Sequence, residues 1–418
     1  MWNYLNKASI KNIRTDLKNM NQFNSSPGEG ITRVLFTAEE LEGRNYIKSR
    51  MSELGLSVRE DAIGNIYGKL KGINSELSPV WTGSHIDTVL HGGEFDGTAG
   101  VIGGMEALRL IKESGIPHLR DIEVVIFTSE EPTRFGMGCL GSRALAGVLT
   151  LEETKTLLDQ DGISLYSILK DLNYNFSKFS EIKKDKGDVY GFVELHIEQG
   201  VVLESLGIKT GIVTTISAPT DMQVKVKGTQ GHAGATPMHL RADALTASAK
   251  IILELEELAR ASTDPSTVAT VGVVKVYPGA SNVIPGEVDF TIDIRSSDFD
   301  AKNIILDKLK HNIEQISLSR GVKISTETLC HDHPIKADKH IVETIESVCG
   351  KMNIEYNLMV SGAYHDSMLV GQFAPFGMIF VPSKGGISHD KNEWSDYEDI
   401  ATGVDVLTKA LLLLSNEV

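Results

Sequence analysis

Three side chains that bind metal ions or transfer protons lie close together between Gly83 and Gly100. An apolar run leads to His85, Asp87 follows two residues later, and a glycine-rich loop then leads to Asp96. An imidazole and two carboxylates in such a short stretch are typical metal ligands. The sequence therefore predicts a metal site at the end of a buried strand.

Three further segments with the character of buried strands are also followed by ligand-type residues. Glu130 and Glu131 follow the run IEVVIFT, His196 ends the run GFVELHI, and His389 lies in a loop after FGMIFV. Open α/β sheets place their sites at the carboxyl ends of parallel strands. The combined set offers nitrogen and oxygen but no thiolate, which suits Zn²⁺, Mn²⁺ or Co²⁺.

The number of these residues predicts two metal ions. A catalytic zinc ion usually takes three protein ligands, whereas five are available here: His85, Asp96, His196, His389 and one of the two glutamates. Asp96 is placed to bridge two ions. Of Glu130 and Glu131, one is expected to bind metal and the other to take a proton from water. We expect Asp87 to hold the imidazole of His85 in the correct tautomer.

Composition limits the classes of partner. The net charge of −15 argues against nucleic acid, and no apolar run approaches the length of a membrane span. The beginning of the sequence lacks the apolar core of a signal peptide. Three unpatterned cysteines predict a reducing, cytoplasmic setting without disulfides.

The order of predicted elements indicates an α/β protein of two domains. Strands alternate with helices in residues 1–213 and 331–418, which predicts a mainly parallel sheet with helices on both faces and the metal site. Residues 214–330 change to the order β-α-β-β-α-β and predict an inserted ferredoxin-like domain. The charged residues 150–187 are expected to form a helical surface excursion.

At this point the chain resembles a known family. The resemblance covers nearly the whole chain and rests on six motifs: GSHIDT from Gly83, FDG from Phe95, SEE from Ser129, ELHIEQG from Glu194, GHAG from Gly231 and GISH from Gly386. They are similar to those of the M20-type dinuclear metallohydrolases. Within these the chain looks like the branch that hydrolyses ureido compounds, in which His196 stands where related peptidases carry an aspartate.

The resemblance implies which residues bind each of the two metal ions. One metal would be held by His85, Asp96 and His196. The other would be held by Asp96, Glu131 and His389, with Glu130 as the general base. The inserted domain would serve as lid and as the interface of a homodimer. His232 in its glycine-flanked turn would cross to the partner's active site and stabilise the oxyanion.

Other residues are candidates for binding the substrate. Arg295 ends an apolar strand and suits a carboxylate, although an ion pair with Asp293 or Asp298 is the alternative. The other candidates are polar or lie in loops: Asn282, Gln199 beside the ligand strand, and Gly362 and Ala363 in a segment that resembles the family's substrate loop.

We therefore predict a metal-dependent amidohydrolase that cleaves a linear, non-peptide C–N bond of a small ureido acid. A carbamoyl substrate would yield ammonia, carbon dioxide and an amino or hydroxy acid. The run SEEPTRF and the segment AYHDS look most like ureidoglycolate amidohydrolases, with N-carbamoyl-L-amino acids as the close alternative. Thr220 stands where allantoate hydrolases carry an arginine, which weakens allantoate. An M20-type peptidase, a non-catalytic metal-binding protein and a dimerising scaffold are the remaining alternatives.

Overall fold

The computed structural model describes residues 5–418. The chain forms two compact units. The first contains the residues up to Thr214, together with Ala337–Met359 and His365–Val418, and the second contains Thr215–Lys336 and Val360–Tyr364. Among the described helices, none combines the length and apolarity needed to cross a membrane.

The helices of the described chain vary widely in length. In chain order they are α1 Ile10–Met20, α2 Ala38–Glu53, α3 Thr98–Ser114, α4 Leu140–Ala146, α5 Leu165–Asp171, α6 Val202–Leu206, α7 Ala244–Arg260, α8 Phe299–Arg320, α9 Lys339–Met352, α10 Asp366–Val370 and α11 Tyr397–Leu414. Side-chain caps explain several beginnings. Thr37, for example, accepts a hydrogen bond from the backbone N–H of Glu40 at the start of α2.

The strands of the first unit precede and follow those of the second. In chain order all strands are β1 Ser57–Glu60, β2 Ile66–Leu70, β3 Val80–His85, β4 Ile122–Phe127, β5 Gly191–Ile197, β6 Gly211–Ile216, β7 Ala218–Lys227, β8 Gly231–His232, β9 Val268–Thr270, β10 Val274–Tyr277, β11 Val283–Ile284, β12 Glu287–Ser296, β13 Lys323–His331, β14 Ile335–Lys336, β15 Asn357–Ser361 and β16 Phe376–Val381.

The first unit is built on a twisted sheet in the order β1-β2-β4-β3-β5-β16-β6. The four central strands β4, β3, β5 and β16 run parallel, whereas β2 and β6 flank them in antiparallel fashion. Every residue of the central four is buried, as expected for a covered parallel sheet. The prediction of an α/β fold with a mainly parallel sheet is confirmed.

The second unit has a different strand character. Its main sheet has the order β10-β12-β7-β13, and its pairs are antiparallel. Buried and partly exposed residues alternate along β7 and β12. Apolar side chains of α7 and α8 complete a separate core with the buried face of this sheet. Its elements follow one another as strand, helix, strands, helix and strand.

Residues 150–187 differ from the helical excursion that the sequence predicts. They contain only the two-turn helix α5 and two short 3₁₀ segments, Glu153–Lys155 and Phe176–Glu181, with turns between them. Helices this short gain little from their own hydrogen bonds. Here Leu165 and Leu169 are buried, so local packing rather than helical periodicity holds the segment.

Candidate metal centre

The predicted ligands come from the carboxyl ends of adjacent strands in the first unit. His85 is the last residue of β3, and His196 lies one residue before the end of β5. Ser129, Gln199 and His389 in the following turns all have φ between 55° and 57°. Non-glycine residues with such backbone angles are rare and cluster at functional sites. The turns therefore direct side chains back toward the strand ends.

One donor set combines two buried imidazoles with a shared carboxylate. Ligand atoms of His85, Asp96 and His196 all lie within 4.8 Å of one another. The Oδ1 atom of Asp96 is 3.2 Å from Nε2 of His196 and 3.9 Å from Nε2 of His85. The Nδ1 atoms of His85 and His196 contact the carbonyls of Asp87 and Ile197 at 3.0 and 2.9 Å. These contacts leave both Nε2 atoms available to a cation.

A second donor set uses the other oxygen of the same aspartate. Asp96 Oδ2 lies 3.1 Å from Nε2 of His389, which is 3.5 Å from Oε1 of Glu131. Ligand atoms of these three residues also lie within 4.8 Å of one another. Asp96 therefore offers one oxygen to each set, as a carboxylate that bridges two ions must.

A glycine sets the distance between the first imidazole and the shared aspartate. Gly97 has φ of 62°, and a Cβ atom on it would lie 2.4 Å from the ring of His85. Any other residue would push the imidazole away from its place beside Asp96. The glycine in the Phe95–Gly97 motif therefore has a steric reason.

The pKa values of the carboxylates in the site are shifted in opposite directions. Burial raises the pKa of Glu130 well above its usual range, and the negative charges of Glu131 and Asp366 add to this. Burial and the charge of Asp96 raise the pKa of Glu131 to about 8. Although burial favours the acid form, hydrogen bonds with His196 and His389 hold the pKa of Asp96 well below its usual range. The site thus concentrates negative charge that a cation would stabilise.

The pKa values of the imidazoles are also shifted. Burial lowers the pKa of His85 to about 4. For His196, burial acts in the same direction, but the hydrogen bond and charge of Asp96 raise its pKa to about 9. The hydrogen bond with Asp96 likewise raises the pKa of His389 to about 9. Where no cation is bound, protons on His196 and His389 supply the positive charge beside Asp96, whereas His85 stays neutral.

The carboxylate of Asp87 holds the two glutamates, whereas the sequence predicts that it holds the imidazole of His85. Its two oxygens accept hydrogen bonds from the backbone N–H groups of Glu130 and Glu131, at 3.3 and 3.0 Å. Its carboxylate is 3.7 Å from Nδ1 of His85, which is closer to the carbonyl of Asp87. The side chain thus orients the pair of glutamates, and the main chain orients the imidazole.

Glu130 is placed to act beside the first donor set. Its Oε2 atom lies 3.8 Å from Nε2 of His85. Its backbone carbonyl accepts a hydrogen bond from the N–H of Cys139 at 2.9 Å. With the amide held by Asp87 and the carbonyl held by Cys139, the main chain on both sides of this carboxylate is tied down.

Gln199 contacts the shared aspartate and has an unused acceptor. Its Nε2 atom donates to Asp96 Oδ2 at 3.1 Å and to Ser388 Oγ at 3.3 Å. Its Oε1 atom is buried and has no hydrogen-bond partner among the described residues. Such an orphaned acceptor is costly unless a ligand satisfies it.

In the second unit, two predicted substrate residues are neighbours. The strand β8 with His232 pairs with β11, and Asn282 immediately precedes β11. The Nδ1 atom of His232 accepts hydrogen bonds from the N–H groups of Gly234 and Ala235, at 3.1 and 3.2 Å. Because Nδ1 is the acceptor, the neutral ring carries its proton on Nε2, and this exposed residue presents a donor to solvent.

The other predicted substrate residues of the second unit also meet. Arg295 donates through Nη1 to the carbonyl of Gly362 at 2.9 Å and through Nε and Nη2 to Asp293 at about 3 Å. The ion pair with Asp293, which was the alternative to a role in binding a substrate carboxylate, is therefore present. The N–H of Ala363 donates to Ser361 Oγ at 3.2 Å. The guanidinium and the predicted substrate loop form one hydrogen-bonded group.

Sequence reasoning missed the role of Glu393. This side chain is only 2% exposed and contacts the backbone at Asp96 and the hydroxyl of Ser388. Its position four residues after His389 was the one available signal. A buried triplet of Glu194, His196 and His365 was also missed. The two oxygens of Glu194 accept from Ser84 and Ser367 at 2.7 and 2.5 Å, so hydroxyl groups satisfy this carboxylate.

The residues present fit divalent cations. Two nitrogen and oxygen donor sets share one carboxylate, and no thiol belongs to either set. Burial and neighbouring negative charges raise the pKa of Glu131 in the second set and of Glu130 beside the first. Both features match the donor chemistry of Zn²⁺ and Mn²⁺ sites.

Comparisons with known proteins show what the chain is similar to. The sequence model of Peptidase family M20/M25/M40 matches residues 77–413. A ureidoglycolate hydrolase of Oryza sativa subsp. japonica is 41% identical over 96% of this chain and 84% of its own length. An N-carbamoyl-L-amino-acid amidohydrolase of Paenarthrobacter aurescens is 36% identical over 98% of this chain and 99% of its own length. A solved amidase of the hydantoinase/carbamoylase family from Burkholderia multivorans is 33% identical, with a TM-score of 0.93 over 98% of this chain and 99% of its own.

Proposed function

The chain belongs to Peptidase family M20/M25/M40, and we propose that it is a metal-dependent amidohydrolase that cleaves a non-peptide C–N bond of a small ureido acid. The family resemblance read from the motifs is confirmed. The observation that carries the proposal is the pair of donor sets sharing Asp96, with Glu130 3.8 Å from His85.

We propose two divalent ions, Zn²⁺ or Mn²⁺, for each subunit. His85, Asp96 and His196 would hold one, and Asp96, Glu131 and His389 the other, which the two compact donor sets support. Bound divalent ions would supply Lewis acidity, which polarises a carbonyl group and makes water a stronger acid. Asp87 and Gln199 would keep these ligands oriented through the hydrogen bonds described above.

Glu130 is the proposed general base and acid. Its carboxylate takes the proton of the attacking water and returns it to the leaving nitrogen, so that a carbamoyl substrate and water yield an amine, carbon dioxide and ammonia. A general base is most effective when its pKa is near the working pH. Burial and neighbouring carboxylates push the pKa of Glu130 upward, and bound cations would bring it back down.

We propose that residues outside the donor sets recognise the substrate. Arg295 binds its carboxylate, and His232 donates its Nε2 proton to the oxygen that becomes negative in the transition state. Asn282, Gly362 and Ala363 provide further hydrogen bonds, and the orphaned Oε1 of Gln199 accepts one from the ureido N–H. Residues 1–213 and 331–418 would then be the catalytic domain, and residues 214–330 a lid through which two copies form a homodimer.

The substrate class includes two close candidates. Ureidoglycolate and N-carbamoyl-L-amino acids both combine a ureido group with a carboxylate, and relatives named for each are similar over almost all of this chain. The side chain of Thr220 is buried, and its hydroxyl lies 2.8 Å from Nδ1 of His331. Thr220 therefore offers no cation to a second substrate group, which favours these two over allantoate.

We propose a cytoplasmic location. The three cysteines Cys139, Cys330 and Cys349 are all free, although two of them are buried in the structure. Free cysteines are usual in proteins of reducing compartments.

Ammonia release from a substrate panel tests the function. Protein stripped with a chelator is reconstituted with Mn²⁺ or Zn²⁺ and given ureidoglycolate, several N-carbamoyl-L-amino acids, allantoate and dipeptides. We expect ammonia from one of the first two classes, none from chelated protein and no cleavage of dipeptides. Cleavage of dipeptides without ammonia release from any ureido compound would overturn the proposal and favour a peptidase.

A further inference from the structure

We infer that Glu393 is a positioning residue that fixes Asp96 and His389 relative to each other, an inference that rests on the proposed two-metal site. Its Oε1 atom accepts hydrogen bonds from the backbone N–H groups of Phe95 and Asp96, both at 3.0 Å. Its Oε2 atom accepts one from the hydroxyl of Ser388 at 2.8 Å. One carboxylate thus joins two ligand-bearing loops whose residues are 297 positions apart in the chain.

The surroundings of Glu393 leave its carboxylate one position. A Cβ atom on Gly93 would lie 2.1 Å from Oε1 of Glu393, so the loop before Asp96 needs glycine at this point. The neighbouring Trp394 packs edge-on against Phe95, with ring centroids 5.3 Å apart. Packing and hydrogen bonds therefore act together on the same loop, and the carboxylate lies within a closed environment where such bonds are strong.

The contacts favour one donor set over the other. In the set of Asp96, Glu131 and His389, Glu393 touches the backbone of the first residue and the neighbour of the third. In the set of His85, Asp96 and His196, it touches only the shared aspartate. The side chain of His389 is 51% exposed, so packing restrains it little and the anchoring of its neighbour Ser388 helps to hold it in place. Loss of Glu393 should therefore weaken the binding of one ion much more than that of the other.

Metal titration of metal-free protein tests this inference without using activity. Mn²⁺ is added in competition with a chromophoric chelator to the wild type, Glu393→Ala and Glu393→Gln. We expect two ions in the wild type and a 10- to 100-fold weaker second ion in Glu393→Ala, the range typical for removal of a group that orients a metal ligand. Glu393→Gln keeps an oxygen for the two amides but loses the second oxygen that accepts from Ser388, so a smaller, measurable loss of about 3- to 10-fold is expected.

Asp121 provides a matched control in the same unit. Its Oδ1 atom accepts hydrogen bonds from the N–H of Gly72 and the hydroxyl of Ser75, both at 2.8 Å, and it is 4% exposed. It thus joins loops through the same bond types as Glu393 but contacts none of the proposed ligands. We expect Asp121→Ala to lower the thermal midpoint and to leave both metal affinities unchanged.

Kinetics at saturating Mn²⁺ gives a second measurement. Because Glu393 acts through the ligands, excess metal should restore most of the kcat of Glu393→Ala, with KM close to that of the wild type. If the wild type binds two ions and Glu393→Ala binds both as tightly as the wild type does, this inference is overturned and the two-metal proposal is not. If Glu393→Ala does not fold, unchanged affinity in Glu393→Gln would overturn the inference. A wild type that binds fewer than two ions would overturn the two-metal proposal as well.

Discussion

The two glutamates of the candidate metal centre and Asp264 of the second unit show opposite shifts in the pKa of their carboxylates. At the candidate metal centre, Glu130 and Glu131 face other acidic groups, and their pKa values are raised. In the second unit, Asp264 is surrounded by the hydroxyls of Ser266, Ser296 and Ser297 and by backbone N–H groups. Burial opposes its ionisation, but these hydrogen bonds lower its pKa to about 2.

This difference in pKa shift distinguishes carboxylates of a functional site from a carboxylate with a structural role. The protein supplies Asp264 with enough donors to be stable as an anion by itself. At the strand ends of the first unit, the chain instead places Glu130 and Glu131 beside Asp96 with too few donors, so an external cation is needed to make their charges favourable. A local conflict of this kind is expected where a protein gives up stability for function.

The largest expected effect tests whether Glu130 takes part in catalysis or only in the structure. Glu130→Gln should lower kcat by about 10³-fold, because general base catalysis contributes roughly 10²- to 10⁴-fold, while both metal ions remain bound. The metal-free variant should be at least as stable as the wild type, since glutamine resembles the neutral acid form that the raised pKa of Glu130 favours. Ammonia release, metal analysis and thermal melts measure the three outcomes, and activity within about tenfold of wild type would contradict the assigned role.

Metal addition should stabilise the first unit and leave the group around Asp264 unaffected. At a free Mn²⁺ concentration of about 100 times Kd, one bound ion adds roughly 2.7 kcal/mol to the free energy of unfolding. Thermal melts over a Mn²⁺ series measure this gain, with Asp264→Asn expected to shift in parallel with the wild type. His389→Ala should lose much of the gain, and an undiminished gain in that variant would argue that the metal binds elsewhere.

Substitutions at Gly97 and Gly115 distinguish the effect of a steric clash at the site from the effect of backbone strain. Gly97→Ala should weaken metal binding at least 10-fold because the new methyl group would displace the ring of His85. Gly115 has a similar φ of 65° with open space around it, so Gly115→Ala should cost about 1 kcal/mol of stability through strain alone. Equal metal affinities in the two variants would show that the distance set by Gly97 is unimportant.

The smallest expected effect concerns the pH dependence around Asp264. Its folded-state pKa of about 2 is below the usual 3.8, so its stabilisation is present above about pH 4 and is lost as the pH falls through 2. Because the residue is partly exposed, solvent screening reduces the benefit to about 1 kcal/mol. Urea unfolding of wild type and Asp264→Asn should differ by this amount at pH 6 and by less at pH 3. A constant difference would contradict the assignment.

Several features of the structure were predictable because they depend on short stretches of sequence. Continuous apolar runs predicted the buried parallel strands around His85 and His196. Short motifs predicted donors that the structure brings within 4.8 Å of one another. Residues 150–187 were less predictable, since their polar character does not distinguish a surface helix from turns that packing of Leu165 and Leu169 holds in place.

By itself, the sequence determined the residue types of the site, their positions after apolar strands and the family of the chain. Only the tertiary structure decided which contacts those residues make. It directed the Asp87 carboxylate to the amides of Glu130 and Glu131, and it joined Glu393 to Asp96 across 297 positions. The physical reason is that hydrogen bonds act over about 3 Å in space, a distance that is set by the packing of strands and loops and not by their separation along the chain.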